Sequence, residues 1–175
     1  MTIWFTSDWH LGHSNIIKSC NRPFASLKEM HEMLLHNHNS VVTPTDTVYH
    51  LGDLSYKINY EMMRLSFQRY NGKFHIIKGN HDKPGYLQSL KDAKLIESYQ
   101  DVLGVSINGQ YIWLSHYPHR SWNQSSHGSW HLHGHSHGNM PPFMSSFDVG
   151  TDNWNYFPIS FEQVSEKMTE LKNSS

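Results

Sequence analysis

Short apolar runs that stop abruptly at a chemically equipped residue constrain this chain more than any other feature. Thr2 to Thr6 ends at Ser7-Asp8, Thr47 to Leu51 at Gly52-Asp53, and Phe74 to Lys78 at Gly79-Asn80. Each run is short and rich in β-branched and aromatic residues, as a buried strand should be. Between the first two runs, Ser26-Leu27-Lys28-Glu29 has the form of a capping box, and Leu27, Met30 and Leu34 follow at helical spacing. A helix is predicted from there to about Asn39, and another over Tyr60 to Tyr70. Strand, helix, strand, helix, strand implies parallel strands with crossover helices.

Beyond about Leu95 the pattern changes. Val102 to Ile107, Asn108-Gly109 and Tyr111 to Leu114 read as a hairpin closed by a two-residue turn. Strands are predicted near Trp130 to His133 and Ser146 to Val149. A final helix is predicted from Ser160, with Gln163 in the capping-box position and Phe161, Val164, Met168 and Leu171 on one face. The fold class expected is α/β: two mixed sheets packed together, with helices outside.

With 175 residues, 37% apolar and 17% charged, the chain suits one globular domain over 1–175. A net charge of -1 gives no broad basic field, so no general nucleic-acid binding is expected. Cys20 is the only cysteine, which excludes an intramolecular disulfide and fits a reducing compartment. No apolar stretch approaches the ~20 residues that span a bilayer, and the start lacks the basic region of a signal peptide. A cytoplasmic protein without membrane attachment is expected.

Histidine is abundant, with 15 residues, but position matters more than number. Five blocks stand at strand ends: Asp8-Trp9-His10, Gly52-Asp53, Gly79-Asn80-His81-Asp82, Ser115-His116-Tyr117-Pro118 and Gly134-His135-Ser136-His137. Glycine permits a sharp turn and a close backbone approach, and strand-end loops are where α/β folds display their sites. Imidazole, carboxylate and amide oxygen together suit first-row divalent ions, whereas a structural zinc site would normally use cysteines. Seven candidate ligands exceed what one ion with an open position needs. Two ions sharing a carboxylate, ~3.5–4 Å apart, account for them and suit in-line attack of a metal-activated hydroxide on phosphorus.

In this order, D-x-H, G-D, G-N-H-D, H and G-H-x-H, the blocks resemble the calcineurin-like metallophosphoesterase superfamily from Asp8 to His137. The strings Phe5 to His13 and Leu114 to Pro118 resemble its compact bacterial and phage phosphoesterases. The resemblance implies a four-layer α/β/β/α sandwich and two divalent metal ions per chain. Manganese is the first choice, with iron, nickel, zinc and cobalt as alternatives. It implies Asp8, His10 and His137 on one ion, Asn80, His116 and His135 on the other, and Asp53 bridging. It also implies that His81 faces the substrate and assists the leaving oxygen. Asp82 is expected to orient His81.

The flanking residues Arg120, His119, His13 and Arg22 are candidates for substrate contact, Arg because its planar fork suits phosphate. His131 and His133 are expected to be packing residues in a strand, and His50 and His75 strand residues without a catalytic task. His31, His36 and His38 are expected on a helix surface. The activity expected is hydrolysis of a small phosphodiester or nucleotide. Phosphomonoesterase and nuclease activity on the same site remain alternatives, with an inactive interaction scaffold a further one.

Overall fold

The computed structural model describes residues 1–173. Strands β1 (Ile3–Thr6), β2 (Thr47–His50), β3 (Lys73–Ile77) and β4 (Ser98–Gln100) alternate with helices α1 (Ser14–Ser19), α2 (Leu27–Val41), α3 (Tyr60–Phe67) and α4 (Pro84–Asp92). A second series follows: β5 (Val102–Ile107), β6 (Gln110–Ser115), β7 (Trp130–His133), β8 (Ser146–Asp148), β9 (Ile159–Ser160) and α5 (Phe161–Asn173). One sheet has the order β4-β3-β2-β1-β9 and the other β5-β6-β7-β8. In the first, β1 to β4 are parallel and only β9 runs against β1. In the second, β5 and β6 form the hairpin and the remaining pairs are parallel. Two mixed sheets flanked by helices make this an α/β fold, as the sequence implied.

Two apolar cores result from strand alternation. Trp9, Val48, Phe74 and Ile76 meet Met30, Leu34, Met63, Phe67, Leu87 and Leu90 from the helices of the first half. Phe5, Leu51 and Ile77 meet Ile112, Leu114, Leu132 and Phe147 of the second sheet, with Val164 and Met168 of α5. Both sheets thus share the second core, and the parallel strands of each end on the rim between them.

Local chemistry sets the boundaries. Ser26 Oγ accepts from Glu29 N at 3.2 Å, capping α2. Ser160 and Gln163 bond reciprocally at 2.8 and 3.3 Å at the start of α5. Asn108 and Gly109 have φ of 49° and 83°, as the tight hairpin turn requires. Four short elements, α1, α4, β4 and β9, were not legible in the pattern, and α3 stops at Phe67 rather than Tyr70. Tyr70 leaves the helix to stack on Trp9, with ring centroids 4.2 Å apart.

His38 departs from its expected surface position. It is 1% exposed, bonds Asn71 O through Nε2 at 2.7 Å and stacks on Phe74. It falls on the buried stripe of α2 with Met30 and Leu34, and the Asn71 carbonyl offsets its desolvation. His31 is half-buried, and its Nε2 accepts from Gly12 N at 3.0 Å; His36 is exposed. His50 and His75 lie in β2 and β3, and His131 in β7, where Ser115 and Ser146 bond both its ring nitrogens at 2.8 Å. No helix among the described residues is long and apolar enough to cross a membrane.

Candidate metal centre

The five blocks converge at the rim between the sheets. Asp8, His10 and His137 can direct one ligand atom each into a space where all three lie within 4.8 Å of one another. Asp53, His116 and His135 form a second such group, and His10, Asp53 and His81 a third that overlaps both. Asp53 Oδ2 lies 3.5 Å from His10 Nε2 and 3.6 Å from His116 Nε2. Asp8 Oδ1 lies 3.7 Å from His10 Nε2 and 3.8 Å from His137 Nε2. These separations are long for hydrogen bonds. They match two donors on one ion, since bonds of 2.0–2.2 Å at a tetrahedral angle place donors about 3.4 Å apart. Asn80 Oδ1 joins the second group, 3.0 Å from His116 Nε2.

The donors are held by their unused atoms. His116 Nδ1 bonds Leu51 O at 2.8 Å and His137 Nδ1 bonds Asp152 Oδ2 at 2.7 Å, while His10 Nδ1 meets His13 Nδ1 at 3.2 Å. In each ring Nδ1 is tied back and Nε2 points inward, the arrangement typical of imidazole ligands. Asp8 Oδ2 accepts from His135 N and Asp53 Oδ1 from His81 N, both at 2.9 Å, so one oxygen of each carboxylate remains. Asp8 Oδ1 and His10 Nε2 are buried with no hydrogen-bond partner among the described residues. Orphaned buried polar atoms are costly, and a divalent cation would satisfy both, so the residues present fit a metal.

Several of the candidate donors have a strained backbone. Asp8, His10, Asp53, His135 and His137 have φ of 61°, 53°, 55°, 67° and 47°. A non-glycine residue in the left-handed region costs about 1–2 kcal/mol. That five donors adopt it shows that the strand-end turns are shaped to aim side chains. Gly52, at φ 101°, lets three such turns meet: a Cβ there would lie 2.5 Å from His116 Nδ1 and 2.7 Å from Gly79 N.

The electrostatics follow from crowding. Burial would raise Asp8, but His10, His116 and His137 around it hold its carboxyl well below the usual range. Burial lowers His10 and His135. Burial also opposes charge on His137, yet Asp152, Cys20 and Asp8 lift it to about 10.

Two sequence expectations are corrected. Asp82 does not orient His81. Its Oδ2 accepts from Asp53 N at 2.8 Å and Gly79 N at 2.9 Å, and its Oδ1 from Leu54 N at 2.8 Å. It fastens the Asp53 turn to the Gly79 turn, and burial pushes it up to about 6 against the pull of those amides. Arg22 is not free for substrate. It is 4% exposed, grips Asp152 with Nε and Nη2 at 2.8 Å each, and donates to Asp8 O at 2.7 Å. The fork is used on a carboxylate that steers His137.

His13 lies against His10 and Tyr56, its ring centroid 6.0 Å from that of His81. Burial, with His10 and His81 nearby, pushes His13 down to about 4. His81 is half-buried, its Nε2 3.9 Å from Asp53 Oδ2. Arg120 lines a neighbouring cavity that holds none of the candidate donors, whereas His119 lines both that cavity and the one shared with Asn80 and His116. Sequence reasoning missed Asp152 and Tyr56. Asp152 had a signal, since Gly150-Thr151-Asp152 follows a strand run just as the other blocks do. Tyr56, whose ring lies 4.5 Å from that of His81, had none.

An α/β sandwich with a rim of imidazole and carboxylate donors able to hold metal defines a class, and comparison with known proteins identifies it. The chain belongs to the calcineurin-like phosphoesterase family, whose model matches residues 1–160. That family comprises hydrolases of phosphate esters that use divalent metals. An uncharacterized protein of Methanocaldococcus jannaschii is 36% identical over 170 residues, covering 93% of this chain and 88% of that one. The Gene 66 protein of Mycobacterium phage L5 is 31% identical, covering 86% of each. Among solved structures, a protein of unknown function from Aquifex aeolicus superposes with a TM-score of 0.74 at 23% identity, over 94% of this chain and 98% of that one. An archaeal phosphodiesterase superposes at 0.50 and 20% identity, over 86% and 82%. These two likenesses speak for the fold.

Proposed function

We propose that the protein hydrolyses a small phosphodiester or a nucleotide at a site for two divalent ions, manganese being the first choice. Asp8, His10 and His137 hold one ion, Asn80, His116 and His135 the other, and Asp53 serves both. The observation that carries this reading is the position of Asp53 Oδ2, within 3.6 Å of a donor nitrogen from each group. Bound divalent ions supply an acidified water and the positive charge that in-line displacement at phosphorus needs.

The chain's own residues supply the rest. Asn80 and His135 are the exposed donors, so the ester approaches from their side. His81 stands at the rim and gives a proton or hydrogen bond to the departing oxygen. Arg22 and Asp152 fix the tilt of His137, and His13 that of His10.

The test is to strip metal, restore Mn²⁺, Ni²⁺, Zn²⁺ or Mg²⁺ in turn, and assay bis-p-nitrophenyl phosphate against p-nitrophenyl phosphate, with His81→Ala as control. Metal-dependent diester cleavage that collapses in the variant is expected. Cleavage of the monoester alone would make the protein a phosphomonoesterase, and failure to bind metal would remove the reading altogether.

A further inference from the structure

A cavity of about 330 Å³ opens beside the second donor group, with Pro118, His119, Arg120, Met140, Pro141 and Phe143 among its lining. A neighbouring cavity of about 350 Å³ is lined by Asn80, His116, Tyr117 and the same His119. His119 is thus a wall common to both, and a molecule whose phosphate meets Asn80 and His116 has a route past it. That wall is fixed. Trp113 Nε1 donates to His119 Nδ1 at 3.2 Å, and the His119 ring stacks on buried His131 with centroids 5.2 Å apart.

The lining has a definite chemistry. Met140 is 50% exposed and Phe143 46%, large apolar surfaces left open next to a hydrolytic site. Thioether, proline and phenyl surfaces suit the face of a flat ring. No carboxylate lines the first cavity, and Arg120 is its permanent charge, so a cationic group gains nothing there while a neutral or anionic one does. The volume lies at the small end of the roughly 300–1,000 Å³ of small-molecule sites, which suits one nucleoside rather than a polymer.

We propose that this groove receives the nucleoside of a nucleotide diester, its base against Met140 and Phe143, while the phosphate lies at the metal centre. The inference rests on the phosphodiesterase reading above and adds what sets its specificity. Arg120 serves at the rim, either stacked on the base or paired with an outer phosphate oxygen.

The test uses two diesters with one leaving group: thymidine 5′-p-nitrophenyl phosphate and methyl p-nitrophenyl phosphate. A preference of about tenfold in kcat/KM for the nucleoside ester is expected from one stacked base. Phe143→Ala and Met140→Ala should each move that ratio most of the way to one, through KM. A wild-type ratio near one, or a ratio that survives both substitutions, overturns the proposal. Should neither ester be cleaved, the hydrolytic reading fails, and calorimetry of the manganese-loaded protein with thymidine 5′-monophosphate decides the groove. Binding that weakens severalfold in Phe143→Ala upholds it, and no binding overturns it.

Discussion

Asp82→Ala separates two roles for one carboxylate. If Asp82 oriented His81, its loss would slow turnover and leave stability and metal content alone. The structure assigns it elsewhere: its oxygens accept from three buried backbone amides, Asp53, Leu54 and Gly79, at 2.8–2.9 Å. Burial lifts its pKa, so the ionised group is itself no large net gain. What the substitution removes is the acceptor of three N–H groups, each costing about 1–3 kcal/mol when left unsatisfied. Even at the low end the sum is about 3 kcal/mol, a large share of the roughly 5–15 kcal/mol that holds a domain together. Asp82→Asn keeps one accepting oxygen, and with it at the Oδ2 position only Leu54 N loses its partner and faces an NH2 donor instead, so about 1–3 kcal/mol is expected. Urea unfolding of metal-free protein at pH 7.5 measures both, and calorimetric Mn²⁺ titration follows the displaced Asp53 and Asn80. A loss below about 1 kcal/mol in Asp82→Ala, with metal binding intact, would refute the reasoning.

Three further outcomes are expected. Arg22→Lys keeps the charge but loses the fork on Asp152, so His137 tilts freely and Mn²⁺ affinity should fall about tenfold or more; unchanged calorimetry would contradict this. Burial pushes His38 down to about 4 although the bond to Asn71 favours its charged form. Its unfolded value is near 6.5, so its contribution is complete above pH 6.5 and is lost as pH falls from there to about 4, by roughly 3 kcal/mol. His38→Gln keeps a donor for Asn71 O and cannot charge, so its urea stability should vary less between pH 7 and 4.5 than that of wild type. Arg120→Ala should raise KM for a nucleoside diester severalfold with metal content unchanged, and identical kinetics would take Arg120 out of the groove.

Much of the fold was legible because strand ends and ligands coincide. The turn after each buried strand must leave the sheet at once, and glycine, asparagine, aspartate or histidine stands there to do it. Gly52-Asp53 and Gly79-Asn80 are therefore structural punctuation and donor in one. What escaped were the elements that carry little periodicity of their own. Helix α1, Ser14–Ser19, buries only Ile16, and α4 opens with Pro84 after an N-cap, Lys83, that supplies no side-chain acceptor. Strand β4 is three half-buried residues held by pairing with β3. None has a pattern long enough to rise above background.

The supporting residues were misassigned for a different reason. Spacing shows which side chains stand at strand ends but not which way each acid or arginine turns. Asp82 follows His81 in the chain, which suggested that it orients that ring, and the planar fork of Arg22 suggested a phosphate contact. In the fold each is turned inward, onto backbone amides or onto Asp152, because a buried charge there must find a partner. The donors themselves hold left-handed φ values at Asp8, His10, Asp53, His135 and His137. At about 1–2 kcal/mol each, five such turns would cost roughly 5–10 kcal/mol, comparable with the stability of a whole domain. Such strain survives only where surrounding bonds over-determine it, and here they do: Asp82 to three amides, Arg22 to Asp152, His135 N to Asp8 and His81 N to Asp53. Asp82 and Arg22, which sequence reading took for catalytic accessories, are among the residues that hold the candidate donors in place.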